Sequence, residues 1–430
     1  MDKALAAKIR IAQFAGGAQQ KGLMRTLSSL IVFISSSFIV SSTVAGCGGA
    51  PATGSSTSPT VPPVTTISKT PIAQSTLYPR VIRLAHQNAL VNGAAANGWL
   101  IANAGSVFES TNNGQTWSDI GAVPLAPNSA RLCCATLFEM PQTVGSLAAG
   151  TLLYAVSACV GPTAADPCTD PQSKPAITLY TSVNQGQSWT YVAAVESGAA
   201  GSSTGGLWEP EFEIASDGAL VMFWSDETDP CCSQKLAQTR TYDGVTWQAP
   251  ANTVASAVYS DRPGMARVSE LPDGAYFMTY EVCGPANNCA AFSRTSADGW
   301  NFGAATSLGN RITSTAGQYF EHAPANFWAN TGGNGELLVV GQVLVESSGA
   351  TSAQNGQLIF VNSGVDGSGI WSTMEAPVAV TDSLQNPYSS CPNYSSALLP
   401  SADGTSLLEM ASDFNGSGNC QTYYAISALN

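Results

Sequence analysis

Charged side chains are scarce in this sequence of 430 residues: only 10% are Asp, Glu, Lys or Arg, and there are two histidines. Acids outnumber bases, which gives a formal net charge of −13. This balance argues against nucleic acid or an anionic surface as a partner. With two histidines and no Cys-x-x-Cys spacing, neither a metal site nor a cofactor is predicted.

A long apolar repeat of helical period is also missing after residue 47, which excludes a mainly helical protein. Instead, 41 glycines and 24 prolines interrupt short runs that are rich in Thr, Ser and Val. Runs of this kind between turn residues are typical of strands. The predicted fold class is therefore all-β, in a chain long enough for one large domain or two ordinary ones.

The N-terminal segment has the pattern of an export signal. An apolar run at residues 27–40 follows Arg25 and is too short to cross a membrane comfortably. The next tetrad, V-A-G-C at residues 44–47, resembles a bacterial lipobox, in which Cys47 becomes the lipidated first residue. We expect an exported lipoprotein at the outer membrane, the cell surface or in the periplasm. An ordinary secretory signal with an incidental cysteine stays open.

These features divide the chain into a signal segment at residues 1–47, a tether rich in Pro, Ser, Thr and Gly at 48–75, and a folded part at 76–430. Residues 1–23 are interpreted as an upstream extension of the signal. Processing after residue 46 leaves 11 basic and 28 acidic residues, a net charge of −17. We expect a monomer that contacts the membrane through its lipid alone.

Ten of the eleven cysteines remain when Cys47 is set aside, an even number that suits an oxidising compartment. Short loops are expected to be closed by Cys159–Cys168 and Cys283–Cys289, and Cys391 is expected to pair with Cys420. The adjacent pairs 133–134 and 231–232 are expected to cross-link neighbouring elements, although spacing alone leaves the connectivity open.

A short turn followed by an apolar strand recurs six times. The turn glycines lie 52 to 69 residues apart, at Gly98, Gly150, Gly218, Gly274, Gly335 and Gly404. Asp-Gly and Asn-Gly between strand-like runs are strong hairpin signals. A period near 60 residues with several strands in each unit predicts a β-propeller.

A second pattern, S-x-N-x-G-x-[TS]-W, falls between those turns. It occurs at residues 110–117 and 182–189, with looser copies at 242–247, 296–302 and 366–371. It resembles the Asp-box of sialidases and related propellers, in which a polar side chain ties a hairpin turn and the aromatic residue packs between sheets. Asn replaces Asp in the two best copies and keeps the bond from side chain to backbone. One six-bladed propeller over residues 76–430 is predicted.

The first strand of each propeller blade runs beside the central axis, so the residues just before each Gly-turn unit are candidates for a site. Five of these six segments carry a charged residue: 79–84, 131–134, 208–210, 261–265, 321–324 and 391–394. One more acid, Glu281, lies deep in an apolar strand, where it is costly unless it is paired or used.

Five short motifs then occur in the order of one enzyme family: Y-P-R-V-I-R-L at 78–84, L-W-E-P at 207–210, D-E-T with Q-K-L at 226–228 and 234–236, R-P-G-M at 262–265, and T-Y-E at 279–281. Together they resemble the exo-α-1,5-L-arabinanase family, a branch of the sialidase clan of glycoside hydrolases. The resemblance spans about residues 76–330 and fades over the rest of the chain.

The resemblance implies an exo-acting hydrolase of an oligo- or polysaccharide, with Glu209 and Glu281 as the catalytic pair. We assign Glu209 as general acid/base and Glu281 as nucleophile of a retaining mechanism, with Tyr394 supporting the nucleophile. Substrate contacts are expected from Arg80, Arg262, Trp208, Glu321 and His322.

Two departures weaken this assignment. Glu211 follows the W-E-P motif at a position where an apolar residue is expected, and we interpret it as pocket edge or a paired surface acid. Cysteines stand in blade 2 where a polar contact is expected. A purely structural alternative also stays open, in which Glu209 and Glu281 form buried ion pairs with Arg80 and Arg262.

Two other functions compete with the arabinanase hypothesis. An exo-sialidase would use Arg80, Arg262 and Arg311 on the sugar carboxylate, but the acid required soon after the first arginine is missing, since only Glu109 lies between residues 84 and 118. A non-catalytic surface propeller would bind glycans or proteins without a working pair of acids.

Overall fold

The computed structural model describes residues 69–74, 77–90, 93–165, 167–201, 205–364 and 366–429. The predicted signal segment with Cys47, and most of the predicted tether, lie outside the described residues. Where residues are described, no helix has the length and apolar character needed to span a membrane. Three short 3-10 helices occur, at Gln87–Ala89, Ala94–Ala96 and Asp382–Leu384.

The strands of the described residues form six antiparallel sheets, and each sheet forms one blade with its strands in order from the axis outward. The first strand, β1 (Thr70–Gln74), belongs to the last blade. Blade 1 contains β2 (Arg80–Arg83), β3 (Leu100–Asn103), β4 (Val107–Ser110) and β5 (Ser118–Gly121). Blade 2 contains β6 (Ser129–Glu139), β7 (Leu152–Val160), β8 (Lys174–Ser182) and β9 (Thr190–Ser197). Blade 3 contains β10 (Leu207–Ile214), β11 (Leu220–Asp226), β12 (Lys235–Thr241) and β13 (Ala251–Val254).

The later blades follow the same plan with one addition. Blade 4 contains β14 (Arg262–Glu270), β15 (Tyr276–Cys283), β16 (Ala290–Ser296) and the short β17 (Asn310–Arg311). Its sheet is extended by β18 (Tyr319–Glu321), which in turn pairs with β21 (Val343–Val345). Blade 5 contains β19 (Ala325–Ala329), β20 (Glu336–Val340), β22 (Leu358–Asn362) and β23 (Ser372–Glu375), with β21 (Val343–Val345) between its second and third strands in the chain. Blade 6 contains β24 (Ala397–Pro400), β25 (Ser406–Phe414) and β26 (Cys420–Ala428).

The innermost strands β2, β6, β10, β14, β19 and β24 contact one another in turn, and β24 contacts β2. This closed ring confirms the six-bladed β-propeller predicted from the repeat. Blade 6 is completed by β1, which pairs with β26. The propeller therefore begins before residue 76, where the composition of the tether had suggested a boundary.

The hydrophobic core is divided into layers between neighbouring blades. In β11, Met222 and Trp224 pack toward blade 2, whereas Val221 and Phe223 pack toward blade 4. Alternate side chains of a strand point to opposite faces, and both faces of this strand are covered by another blade. Its sequence is therefore apolar without alternation, and each buried large side chain contributes about 1.5–3 kcal/mol.

The two ends of the propeller differ in the connections they carry. In a four-stranded antiparallel blade, the hairpins between strands 1 and 2 and between strands 3 and 4 lie at one end, which we call the turn face. The hairpin between strands 2 and 3 and the link to the next blade lie at the other end, the mouth face. The six glycines of the predicted turns lie on the turn face, and all have left-handed φ, between 69° and 92°, which glycine adopts at little cost.

The side-chain bond predicted for the second repeat is present on the turn face. In blade 2, Asn184 Oδ1 accepts the N–H of Ser188 at 3.0 Å, and the following Trp189 is buried between blades 1 and 2. Asp243 makes the equivalent bond in blade 3, where backbone N–H donors hold its pKa well below the usual range. The polar residue thus shapes the turn while the aromatic residue fills the layer beside it.

Candidate functional site

The starts of the inner strands converge on the mouth face around a small apolar cluster. We call this set the mouth cluster; its buried members are Tyr78, Cys134, Met265 and Ala323, with Cys133 and Tyr394 packed against them. They come from blades 1, 2, 4, 5 and 6. Blade 3 contributes Glu209. Burial raises the pKa of the Tyr78 hydroxyl, and the negative charge of Glu209 raises it further. All six blades therefore reach this point.

Non-glycine residues with left-handed backbone mark the mouth. Cys134, Glu209 and Met265 have φ of 67°, 53° and 60°, and the pairing register of their strands shifts at each of them. A bulge of this kind re-aims a side chain out of the sheet pattern. Such conformations cost free energy and concentrate at functional sites. Glu209 is therefore placed by a bulge and not by the alternation of a regular strand.

Glu281 is the second acid at the mouth. It lies on β15 opposite Gly264, and only 8% of its surface is exposed. Its Oε2 accepts the backbone N–H of Ala323, a member of the mouth cluster, at 2.9 Å. The Nδ1 atom of His322 lies 3.6 Å from the same oxygen. Glu281 therefore contacts the mouth cluster directly from blade 4, while Glu209 of the neighbouring blade acts on the cluster through its charge.

Arg80 lies beneath the mouth cluster. It is 3% exposed and donates to the carbonyl oxygens of Pro79 at 2.7 Å and Ser395 at 3.1 Å. Its guanidinium lies 3.6 Å from the centre of the Tyr78 ring, and burial lowers its pKa to about 10. These contacts make Arg80 a support for Tyr78.

Arg262 and Trp208 are held by one carboxylate that the sequence analysis did not single out as a site residue. Glu227 receives a hydrogen bond from Arg262 and another from the indole N–H of Trp208, the latter at 2.8 Å. Arg262 also donates to Gln234 Oε1 at 2.6 Å. Glu227 belongs to the D-E-T motif noted above, but nothing in that motif alone predicts that it bridges two other motifs.

Glu211, interpreted above as pocket edge or a paired surface acid, is paired as expected, but it is buried and does not lie on the surface. Its exposure is 6%, it forms an ion pair with Arg267, and it accepts a hydrogen bond from Thr136 Oγ1 at 3.1 Å. Burial raises the pKa of Glu211, and the guanidinium groups of Arg267 and Arg80 only partly offset that effect. A buried ionic network thus lies below the mouth, on the part of β10 that follows the bulge.

Glu321 and His322 form a further part of the mouth together with Tyr388. Glu321 is buried and accepts a hydrogen bond from the Tyr388 hydroxyl at 3.0 Å. The His322 ring meets the Tyr388 ring edge-on, with centroids 5.8 Å apart. Tyr388 is 58% exposed, so it offers an aromatic surface to solvent. The sequence carried no motif that could have revealed it.

Tyr394 enters the mouth from blade 6. Its hydroxyl lies 3.8 Å from the sulfur of Met265, and its ring centre lies 6.4 Å from that of Tyr78. Arg311, the third arginine of the sialidase hypothesis, lies instead on the exposed outer strand β17 and stacks on Tyr319. The structure therefore does not bring Arg311 to the axis with Arg80 and Arg262.

The disulfides confirm three predicted pairs and correct two. Cys159–Cys168, Cys283–Cys289 and Cys391–Cys420 are bonded as expected. The adjacent cysteines do not cross-link separate elements, because Cys133 bonds Cys134 and Cys231 bonds Cys232. Cys283, Cys289 and His322 are close enough together to suggest a metal site, but the two sulfurs are bonded to each other and supply no thiolate.

Two surface cavities lie away from the mouth. One, of about 390 Å³, is lined by Asp217, Arg240 and Trp300, and another, of about 350 Å³, is lined by Arg83 and Asp403. Both are on the turn face and share no lining residue with the mouth cluster. They are formed by turn residues whose polar groups bond to one another.

Solved structures of similar fold include the α-L-arabinanase of Penicillium chrysogenum complexed with arabinobiose, which is 24% identical, has a TM-score of 0.65 and covers 84% of this chain and 98% of its own. The GH93 α-L-arabinofuranosidase of Fusarium graminearum, also with arabinobiose, is 21% identical with a TM-score of 0.64 and the same coverage. The chain shares their fold. A protein of unknown function from Dyadobacter fermentans is 12% identical, with a TM-score of 0.51 over 85% of this chain and 97% of its own. No family model matches the sequence, and no curated protein matches it significantly.

Proposed function

We propose that this protein is a glycoside hydrolase that removes terminal α-L-arabinofuranosyl residues from a saccharide, with Glu209 and Glu281 as its catalytic pair. The main support is that two acids from neighbouring blades lie at the mouth: Glu209 on the bulge of β10, and Glu281 hydrogen-bonded to Ala323 of the mouth cluster. The fold, moreover, matches that of an arabinanase over 84% of the chain. Two structures of this fold hold arabinobiose, which suggests the substrate class.

The chemistry requires one group that protonates the leaving oxygen and one that attacks the anomeric carbon. In this proposal Glu209, half-buried beside Tyr78, is the general acid. Glu281 is the nucleophile, and the N–H of Ala323 orients its Oε2. Attack by Glu281 forms a bond to the anomeric carbon and breaks the glycosidic bond, while Glu209 donates its proton to the leaving oxygen. Water that Glu209 deprotonates then attacks the same carbon, breaks the bond to Glu281 and releases the sugar with retained configuration.

The other candidate residues contact the sugar or hold the site in shape. Trp208 and Arg262, fixed through Glu227, form one wall of the proposed pocket. Glu321 and His322 form another, with the exposed ring of Tyr388 beside them. Tyr394 packs against Met265 and Tyr78 of the mouth cluster, and we propose that it supports the nucleophile. Arg80 acts from below by supporting Tyr78.

Hydrolysis of an aryl α-L-arabinofuranoside and of arabinan tests the proposal, with an aryl sialoside as the competing substrate. We expect the wild type to hydrolyse the arabinosides and Glu209→Gln and Glu281→Gln to lose that activity. Cleavage of the sialoside alone would favour the sialidase hypothesis, and binding of arabino-oligosaccharides without turnover would favour a glycan-binding propeller. Activity that survives both substitutions would show that other groups perform the chemistry.

We also propose, from the sequence around Cys47, that the protein is exported and held at a membrane by a lipid on that cysteine. The five disulfides support an oxidising compartment. In fractionated cells, wild-type protein should sediment with membranes, and the Cys47→Ala variant should not carry the lipid and should appear in the soluble fraction. The same distribution for both would contradict the proposal.

A further inference from the structure

The Cys283–Cys289 disulfide closes the hairpin that carries Glu281. Strand β15 ends at Cys283, and the bridge spans the turn to the residue just before β16. Glu281 and Cys283 are two residues apart on one strand, so their side chains point to the same face. The Sγ atom of Cys283 lies 3.4 Å from Oε1 of Glu281. The disulfide is therefore packed directly against the carboxylate.

The same bridge is connected to the group that hydrogen-bonds Glu281 from blade 5. The backbone N–H of His322 donates to the carbonyl of Cys289 at 2.8 Å. The next residue, Ala323, donates its N–H to Glu281 Oε2. His322 and Ala323 have φ of 62° and 47°, and non-glycine residues keep such conformations only when the surroundings hold them. The hairpin closed by the disulfide is one of the parts that hold them.

We propose that the Cys283–Cys289 disulfide is a positioning device for Glu281, and that activity at the mouth depends on whether this bond is intact. The inference rests on the proposed role of Glu281 as nucleophile. A dithiol reductant would split the S–S bond into two thiols, supplying two electrons and two protons and becoming a disulfide itself. The hairpin would then loosen its hold on both sides of Glu281. A displacement of about 1 Å from the reactive geometry costs about 100-fold in rate.

A matched pair of disulfide variants tests this. Cys283→Ser with Cys289→Ser removes the bridge, and Cys159→Ser with Cys168→Ser removes a bridge from the corresponding hairpin of blade 2 on the same face. On an aryl arabinofuranoside, we expect the first variant to lose about 100-fold in kcat with KM within about twofold, and the second to keep both values. Melting temperatures identify any loss of folding. A folded first variant with wild-type kcat would overturn the inference.

Two further measurements separate this inference from the proposed function. Amide hydrogen exchange at Ala323 and His322 should accelerate in the variant without the 283–289 bridge and stay unchanged in the blade 2 control. If the wild type hydrolyses no saccharide, the proposed function fails. If exchange at Ala323 is the same with and without the 283–289 bridge, the positioning role itself is overturned. In a Glu281→Gln background, removal of the bridge should cause no additional loss of kcat, because both changes act on one group.

Discussion

On the turn face, left-handed backbone is carried mainly by glycine, whereas on the mouth face it is carried by Cys134, Glu209, Met265 and other residues with side chains. All five disulfides among the described residues lie on the mouth face. The turn face relies instead on local hydrogen bonds in which side-chain oxygens of Ser, Thr, Asn and Asp accept nearby backbone N–H groups. Local bonds suffice where only a turn is needed. Disulfides and contacts between distant residues occur on the mouth face, where non-glycine residues must be held in left-handed backbone conformations that cost free energy.

Acids at the two ends also respond differently to their surroundings. On the turn face, burial acts to raise the pKa of Asp298, but N–H donors from Asn301 and Trp300 outweigh it and lower the value to about 2. Below the mouth, burial dominates and raises the pKa of Glu211. The turn acids gain donors from their own loop, whereas the mouth acids are enclosed by other blades. The comparison predicts that substitutions at the two ends have different consequences.

The largest difference is expected in catalysis. Glu209→Gln should lower kcat on an aryl arabinofuranoside by about 10²–10⁴-fold, the range for loss of a catalytic proton-transfer group. Glu281→Gln removes the proposed nucleophile and should lower kcat at least as much. Asp298→Asn on the turn face should keep wild-type kcat. Melting temperatures of the three variants exclude unfolding as the cause. A turn-face variant that loses as much activity as the mouth variants would break the comparison.

The ion pairs give the next largest difference, in stability. Arg267→Met leaves the buried Glu211 without its partner and should lower the free energy of unfolding by about 3–5 kcal/mol. Its counterpart on the turn face is Arg240→Met, whose partner Asp217 has a side chain that is 45% exposed. That change should cost less than about 1 kcal/mol. Urea denaturation of the two variants measures both values, and equal losses would refute the distinction.

Backbone conformation gives a smaller difference. Asn393 has a left-handed φ of 58°, is buried, and donates to the Gly341 carbonyl at 2.9 Å. Asn393→Ala should cost about 2–3 kcal/mol, since it loses buried hydrogen bonds and places alanine in an unfavourable conformation. On the turn face, Ser182→Ala removes the bond to the Gly186 N–H and should cost about 1 kcal/mol. Chemical denaturation measures the loss of stability in both variants. A larger loss in Ser182→Ala than in Asn393→Ala would contradict the prediction.

Acid titration should give the smallest effect and has a defined sign. The pKa of Asp298 is lowered in the folded state, so its contribution to stability is complete above pH about 4 and is lost as the pH falls toward 2. After solvent screening we expect about 1 kcal/mol. Asp298→Asn should make the free energy of unfolding less dependent on pH over that interval. The variant would then carry at this turn the same non-titrating side chain that blade 2 has at Asn184. If the variant loses stability between about pH 4 and about pH 2 as steeply as the wild type does, the prediction is wrong.

Glu211 should act with the opposite sign. Its pKa is raised by burial, so the stability linked to its protonated form is present at low pH and is lost as the pH rises through the raised value. Glu211→Gln should therefore weaken the pH dependence on the alkaline side of the ordinary glutamate range. The two acid variants together sharpen the contrast between the faces.

The fold was accessible from the sequence because its signals are local. A turn glycine needs only its own φ, and an Asp or Asn that ties a hairpin needs only N–H groups a few residues away, as at Asn184. Six copies of such signals predict six blades. The pairings Cys159–Cys168 and Cys283–Cys289 were also predictable, because short loops bring those residues together.

The site was only partly accessible. Glu227 and Tyr388 act through partners far away in the chain, and Arg267 pairs with an acid 56 residues before it. The adjacent cysteines were predicted to cross-link other elements, and the pair at 133–134 instead bonds within a bulge where Cys134 is left-handed. No local pattern reports which blade a buried charge will face.

The sequence by itself therefore determined the blades and the turn face, and it singled out Glu209 of W-E-P as a candidate. It also pointed to Glu281 through the cost of an acid in an apolar strand. Only the tertiary structure decided that Glu211 is buried against Arg267, that Glu227 joins Trp208 to Arg262, and that a disulfide and a backbone N–H hold Glu281. The physical reason is range: turns and strands are set by neighbours in sequence, whereas the burial and partners of a charge are set by blades that meet only when the ring closes.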